Sequence, residues 1–193
     1  MNNNLKVLKL FVDNKDKTFS INKVAEALKM NYRIAHEEVT KLESEKLLKT
    51  IKHGNAKICE FNYKFSSKIV EIEQVRVQEL FKNKNIKLIH KRISEVKSPF
   101  YSLVIFGSCA NNKNKKGSDI DLCLITDNQQ INKEVNSILS ITQLNIHLQE
   151  FTSEQFIHML RNKEPNVGNE IAKNNIILYG IEAFYEMVNR VKQ

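Results

Sequence analysis

Apolar positions in the first 65 residues recur three times at helical spacing and then switch to alternation. Leu5, Leu8 and Val12 share one helical face, with Phe11 beside them. Ser20 is placed to cap a second helix whose apolar stripe is Ile21, Val24, Ala25 and Leu28. Asn31 is placed to cap a third, running to about Lys46, with Ile34, Ala35, Val39 and Leu42 expected on its buried face. LLKTIKH and AKICEFNY then alternate on either side of His53-Gly54-Asn55. A Gly-Asn pair between two such runs predicts a hairpin.

Residues 66–97 return to helical spacing, with a break at Lys82 to Asn85 and a stop at Pro99. With no Gly- or Ser-rich tether, the two parts of the chain are expected to be joined by helix. Beyond Pro99 strands and helices alternate. Strands are expected at about 101–106, 119–125 and 143–151, and helices after Gly107-Ser108, near 130–139, from Thr152 or Ser153 to Arg161, and over Asn166 to Lys173. IILYG reads as a short apolar strand or turn, and IEAFYEMVNRV as a closing helix. The pattern is that of an α/β unit with about three main strands backed by helices.

The chemistry is concentrated in YSLVIFGSCANNKNKKGSDIDLCLIT, Tyr101 to Thr126. Gly107 lets the chain turn sharply and approach a ligand where a Cβ would clash. Ser108 adds a hydroxyl, and the N–H groups that open the next helix favour an anion. Asp119 and Asp121 stand two apart, so both carboxylates project from one face of a strand whose Ile120, Leu122 and Leu124 point into the core. Two carboxylates so close repel each other, and a hard divalent cation relieves the repulsion. Mg²⁺ takes one or two carboxylates and completes its shell with phosphate oxygens and water. Lys113, Lys115 and Lys116 on the intervening loop add charge against a triphosphate.

Composition narrows the setting. The chain has 193 residues, 41% of them hydrophobic, and a formal net charge of +8. Residues 1–65 carry 13 Lys/Arg against 8 Asp/Glu, so the shorter part holds most of the excess and suits a polyanion partner. No apolar run reaches the roughly 20 residues of a membrane span, and the N-terminus lacks the pattern of a secretion signal. Three cysteines with no CxxC pair read as reduced thiols in a cytoplasmic protein. Neither they nor the five histidines show zinc spacing.

Gly107-Ser108, a variable loop and Asp119-Ile120-Asp121 resemble the signature of the nucleotidyltransferases related to DNA polymerase beta, in particular their minimal members. The resemblance extends over about residues 68–192, including Leu178-Tyr179-Gly180 and the helix after it. It implies Mg²⁺, ATP or another nucleoside triphosphate, and transfer of a nucleoside monophosphate to an acceptor hydroxyl. Gly107, Ser108 and Ser118 would bind the nucleotide, and Asp119 and Asp121 would be catalytic and ligate the metal. Residues 3–65 resemble a winged helix-turn-helix, which implies DNA contact by Asn31, Tyr32, Arg33 and His36 on the third helix and by Lys52 and Lys57 on the hairpin, with Lys49 and His53 nearby. The expected fold is thus an α/β (α+β) nucleotidyltransferase fold, a small mixed sheet backed by helices over 66–193, preceded by a winged helix-turn-helix over 1–65.

The family's active members usually add a third carboxylate from a neighbouring strand. In Leu144-Asn-Ile-His-Leu-Gln-Glu-Phe151 the polar face carries Asn145, His147 and Gln149, and Glu150 has the opposite phase. His147 and Gln149 are the candidates for this third limb, with His147 either a substitute base or ligand or an ordinary polar contact. Asn111 stands where minimal members often have a basic residue. Two functions remain open: transfer of AMP or another nucleoside monophosphate to a protein or RNA hydroxyl, or a DNA-binding regulator or antitoxin whose nucleotidyltransferase-like domain binds nucleotide without turnover. A small helical toxin-like protein, RNA, DNA and a second copy of the chain are the macromolecular partners these readings bring, and a membrane is not among them.

Overall fold

Asn2, Ser20 and Asn31 each turn a short side-chain oxygen back onto a free backbone N–H, and three helices start where they do. Asn2 accepts from Leu5 N at 2.9 Å, Ser20 from Lys23 N at 3.3 Å and Asn31 from Arg33 N at 2.8 Å. Each such cap stabilises by about 1 kcal/mol. The computed structural model describes residues 1–54, 56–110, 119–162 and 164–192. They form two units, Met1–Ile72 together with Lys192, and Glu73–Val191.

In the first unit the capped helices are α1 (Asn3–Val12), α2 (Ile21–Leu28) and α3 (Tyr32–Ser44). Their stripes meet in a core of Leu5, Leu8, Phe11, Val24, Ala35, Val39 and Leu42, all buried. Ile34, expected on the buried face of α3, is 37% exposed. The core-facing positions run Ala35, Val39, Leu42, and Ile34 lies one residue, about 100° of helix, off that line. Strands β2 (Leu48–His53) and β3 (Ala56–Phe61) pair antiparallel from Leu48↔Phe61 to His53↔Ala56. Gly54 at their turn has φ +58°; Asn55 lies outside the described residues. The pattern missed β1 (Phe19–Ser20), a two-residue strand that pairs with β3 through Phe19↔Cys59. Two residues are too few to show alternation.

The second unit takes in the end of α4 (Ser67–Leu80), then α5 (Lys84–Ile93), β4 (Ser102–Phe106), the single turn α6 (Gly107–Ala110) and β5 (Ile120–Ile125). There follow α7 (Gln129–Ser140), β6 (Ile146–Phe151), α8 (Ser153–Arg161), α9 (Val167–Lys173), β7 (Asn175–Tyr179) and α10 (Ile181–Lys192). The sheet order is β6-β5-β4-β7, with β5 and β6 parallel and β4 antiparallel to both its neighbours. The sheet therefore has four strands where about three were expected, because Asn175–Tyr179 pairs with β4, with one register shift between Leu103 and Val104. Every side chain of β4 is buried, so both edges of its backbone need partners.

Alternation divides the sheet into two faces. Leu103, Ile105, Ile120, Leu122, Leu124, Ile176 and Leu178 pack with Ile86, Ile89 and Ile93 of α5 and Ile131, Val135 and Leu139 of α7. Val104, Cys123 and Ile177 take the opposite phase and are fully buried. On that side Phe156 of α8 and Phe184 of α10 pack with ring centroids 5.6 Å apart. A buried polar chain ties α4 to β7 and α10. Arg76 donates to Glu73 and to the Asn175 carbonyl, each at 2.6 Å, and the Tyr185 hydroxyl donates to Glu73 at 2.7 Å. Among the described residues no helix is long and apolar enough to cross a membrane.

Candidate functional site

The site is built where β4 ends and β5 begins. Gly107 leaves β4 with φ +66°, a conformation that costs an L side chain about 1–2 kcal/mol. A Cβ added there would stand 2.5 Å from Asp121 Oδ2. The Asp121 carboxylate thus rests directly against the glycine, and only a residue without a side chain leaves it that place. Ser108 follows, exposed, in α6. Cys109, the next residue, is buried and donates weakly to the Asp119 carbonyl at 3.6 Å, so α6 is tied to the point where the chain re-enters the sheet.

Asp119 lies one residue before β5 and is exposed, whereas Asp121 is the second residue of the strand and its side chain is 28% exposed. The parallel pairing of β5 with β6 brings Asn145, His147 and Gln149 to the same side. Ile120 N bonds to the Asn145 carbonyl at 2.9 Å, and Asp121 is the register partner of His147. Asn145 donates its side-chain N–H to Asp119 Oδ1. His147 Nδ1 stands 3.5 Å from Asp121 Oδ1, and its Nε2 lies 3.2 Å from Gln149 Nε2.

Glu150 points away from this group. It takes the opposite phase of β6 and accepts from Asn136 of α7 at 2.8 Å. The strand has no bulge in its pairing from Ile120↔Ile146 to Ile125↔Phe151 that would turn it round. The face opposite the two aspartates therefore carries an amide, an imidazole and an amide. Asn145 is the residue sequence reasoning passed over. Its phase with His147 was visible, but its bond to Asp119 depends on β6 lying parallel beside β5.

The donors suit a hard divalent ion. Mg²⁺ uses one or two carboxylates and leaves its other positions to phosphate and water, and the Asp121 carboxylate rests against Gly107. Among the described residues no group of three or more His, Cys, Asp or Glu is arranged to enclose a metal by itself. Ser118, Asn111, Lys113, Lys115 and Lys116 lie outside the described residues. A cleft of about 610 Å³, lined by Phe100, Tyr101, Thr126, Ile157, Met187 and Arg190 among others, opens at the far end of the sheet, where β5 finishes, not at the aspartates.

In the first unit the expected nucleic-acid contacts divide into two groups. Tyr32 (51% exposed), Arg33, His36 and Lys52 face outward. Tyr32 and His36 have ring centroids 6.1 Å apart, and Arg33 pairs with Glu37 at 3.1 Å on the open surface of α3. Asn31 is engaged as the α3 cap. Lys57 is engaged too: it donates to Glu43, which also accepts from Thr50. The Lys57 and Thr50 hydrogen bonds hold the Glu43 carboxyl below the usual carboxylate range, against the effect of burial.

Residues 84–183, a little over half of the chain, match the family model described as "Polymerase beta, Nucleotidyltransferase". No curated protein matches the chain. A solved structure, "Crystal structure of the toxin-antitoxin with AMP-PNP", is similar at 15% identity over 54% of this chain and 80% of that one. Its TM-score is 0.36, too loose a superposition to bear on function.

Proposed function

This chain belongs to the polymerase beta nucleotidyltransferase family, and we propose that it transfers a nucleoside monophosphate, AMP from ATP, to a protein or RNA hydroxyl in an Mg²⁺-dependent reaction. The contact of Asp121 with Gly107 supports this reading, because it sets a carboxylate directly against the turn read as the phosphate cradle. Asp119 and Asp121 hold the ion. The Gly107-Ser108 turn receives the phosphates, with Ser118 beside it. When bound, the ion lowers the pKa of the acceptor hydroxyl and offsets charge on the departing pyrophosphate. The acceptor oxygen gives up its proton to solvent water and forms its bond to the α-phosphorus as the bond to pyrophosphate breaks. Asn145 keeps Asp119 turned toward β6 by occupying one of its oxygens.

The first unit reads as a winged helix-turn-helix. Three capped helices followed by an antiparallel hairpin support it, with Tyr32, Arg33 and His36 exposed on α3 and Lys52 on the hairpin. Its role is to bring the chain to DNA. Lys57, directed at Glu43, serves to hold the hairpin to α3.

The test is incubation with ATP labelled at the α-phosphate, Mg²⁺ and candidate protein and RNA acceptors. Label should transfer with the unaltered chain and vanish in both Asp119→Asn and Asp121→Asn. Transfer surviving both changes would move the site elsewhere. One observation favours a second reading, a DNA-binding regulator or antitoxin that binds nucleotide without turnover: the β6 face opposite the aspartates bears Asn145, His147 and Gln149 and no carboxylate. Tight ATP binding with no transfer to any acceptor, coupled to a change in DNA affinity, would select it.

A further inference from the structure

Cations on α1 and α3 have carboxylates beside them: Lys9 meets Asp13 at 2.7 Å, Arg33 meets Glu37 at 3.1 Å and Lys41 meets Glu38 at 3.0 Å. α5 is built otherwise. Its ten residues include Lys84, Lys87, Lys91 and Arg92 and no Asp or Glu, and Lys82 and Lys97 continue the charge beyond its ends. Lys84, Lys87 and Lys91 are exposed, and none of them forms an ion pair or side-chain hydrogen bond among the described residues. At about 100° per residue these three fall on one line, about 180° from Ile86, Ile89 and Ile93, which are buried against β4 and β5. Leu88, 41% exposed, lies within the basic line. Like charges three and four residues apart repel. Lys84 and Lys87 also occupy the first turn, where the helix dipole disfavours a cation; only Lys91, in the last turn, is favoured by it. A bound polyanion offsets both costs.

We propose that the outer face of α5 binds the phosphate backbone of an RNA, and that this RNA is the acceptor. The lysine line runs about 10 Å along the helix, at about 1.5 Å per residue, and suits a ligand whose negative charges repeat along a strand. RNA carries a hydroxyl on every ribose, which DNA lacks, and the reaction read for the aspartates consumes a hydroxyl. α5 belongs to the unit that holds Asp119 and Asp121, and it packs on the strands β4 and β5 that lead to Gly107 and Asp121. The RNA hydroxyl oxygen bonds to the α-phosphorus of ATP, its proton passes to solvent water, and pyrophosphate leaves. This inference rests on the nucleotidyltransferase reading and deepens it by naming the acceptor class.

Fluorescence anisotropy of the full-length protein with a single-stranded RNA and with a DNA duplex, each at several salt concentrations, tests it. The triple variant Lys84→Gln, Lys87→Gln, Lys91→Gln should lower RNA affinity about tenfold or more and shallow its salt slope by about 2, since each phosphate contact on a single strand contributes about 0.7. Duplex affinity and ATP binding should hold. Arg161→Gln with Lys173→Gln, which removes exposed charge from α8 and α9, should leave RNA affinity within about twofold. Label from the α-phosphate of ATP should pass to the RNA and not to single-stranded DNA of the same sequence. In the triple variant that transfer should show a raised KM for RNA with kcat retained. RNA affinity and slope unaltered in the triple variant, or an equal loss for the duplex, would overturn the proposal while leaving the aspartate site standing. Equal labelling of the DNA, or RNA bound through α5 that takes no label, would overturn RNA as the acceptor. ATP binding that persists unaltered in Asp121→Asn would overturn the aspartate reading and the acceptor role together.

Discussion

Asp121 Oδ2 lies where the Cβ of any residue but glycine at position 107 would project, 2.5 Å from it. Gly107 and Asp121 are thus a matched pair: the backbone turns at φ +66° and the carboxylate fills the room left by the absent side chain. Gly107→Ala should cost about 1–2 kcal/mol from the positive φ and push the carboxylate off the turn. Nucleotide binding measured by calorimetry in the presence of a divalent ion should fall about tenfold or more, about 1.4 kcal/mol per decade, with the chain still folded by circular dichroism. Unimpaired nucleotide affinity would show that the pair is only a packing contact.

Asn145 orients Asp119 across the parallel strands. Asn145→Ala should leave Asp119 in place on the backbone but free to turn, lowering metal-dependent nucleotide affinity about tenfold, in the range of outer-shell changes. Stability should change little because Asn145 is exposed. A large drop in Tm with no loss of binding would assign Asn145 to the fold instead.

The Glu73–Arg76 pair is buried to 0% and 6% exposure and is bonded onward to Tyr185 and to the Asn175 carbonyl. Breaking a buried ion pair by removing one partner typically costs about 3–5 kcal/mol. Arg76→Ala should therefore lower the denaturant midpoint far more than Tyr185→Phe, which loses one hydrogen bond worth about 1.5–3 kcal/mol to a charged acceptor. Equal effects in the two variants would contradict the ordering.

His90 carries a pH dependence. Its ring stacks on Tyr179 at 4.9 Å and meets Phe81 at 4.8 Å, and burial holds the imidazole below its ordinary value of 6.5. On acidification the unfolded chain takes up this proton first. The stabilising contribution is full above pH 6.5 and is lost as pH falls toward and through the lower folded value. Urea midpoints between about pH 7 and pH 5 should decline, and His90→Phe should flatten that decline.

Arg33 and Lys52 should matter to DNA, and Lys57 to the hairpin. Arg33→Ala and Lys52→Ala should each weaken DNA binding and shallow its salt dependence by about one charge. Lys57→Gln should leave that slope nearly intact and cost about 0–1 kcal/mol of stability, as expected for a partly exposed pair. Because Glu43 sits below the usual carboxylate range, that contribution is present above its ordinary value of 4.5 and is lost as pH falls through the lower folded value. A fluorescence anisotropy titration at several salt concentrations separates the two roles.

Local rules made much of this molecule readable in one dimension. Ser20, Asn31 and Thr152 announce helix starts because a capping oxygen acts within three residues of itself. Glu150 opposes His147 because a strand alternates whatever its neighbours are. That the Gly-Ser turn belongs with the aspartate pair was implied by the family resemblance, and the antiparallel pairing of β4 with β5 brings Gly107 to Asp121.

Long-range pairing decided the rest. That IILYG becomes β7 depends on the open edge of β4, and that Phe19 starts a strand depends on Cys59 some 40 residues away. Which polar groups meet the aspartates follows from β6 lying parallel to β5 with Asp121 opposite His147. A one-residue slip would have brought Ile146 or Leu148 there instead. Lys57 looks like any other basic residue of a hairpin until folding sets Glu43 against it. Sequence alone determined which residues could share a face, since the backbone's own geometry dictates that; only tertiary structure determined what each face would meet, because partners are chosen by packing between segments the chain brings together from a distance.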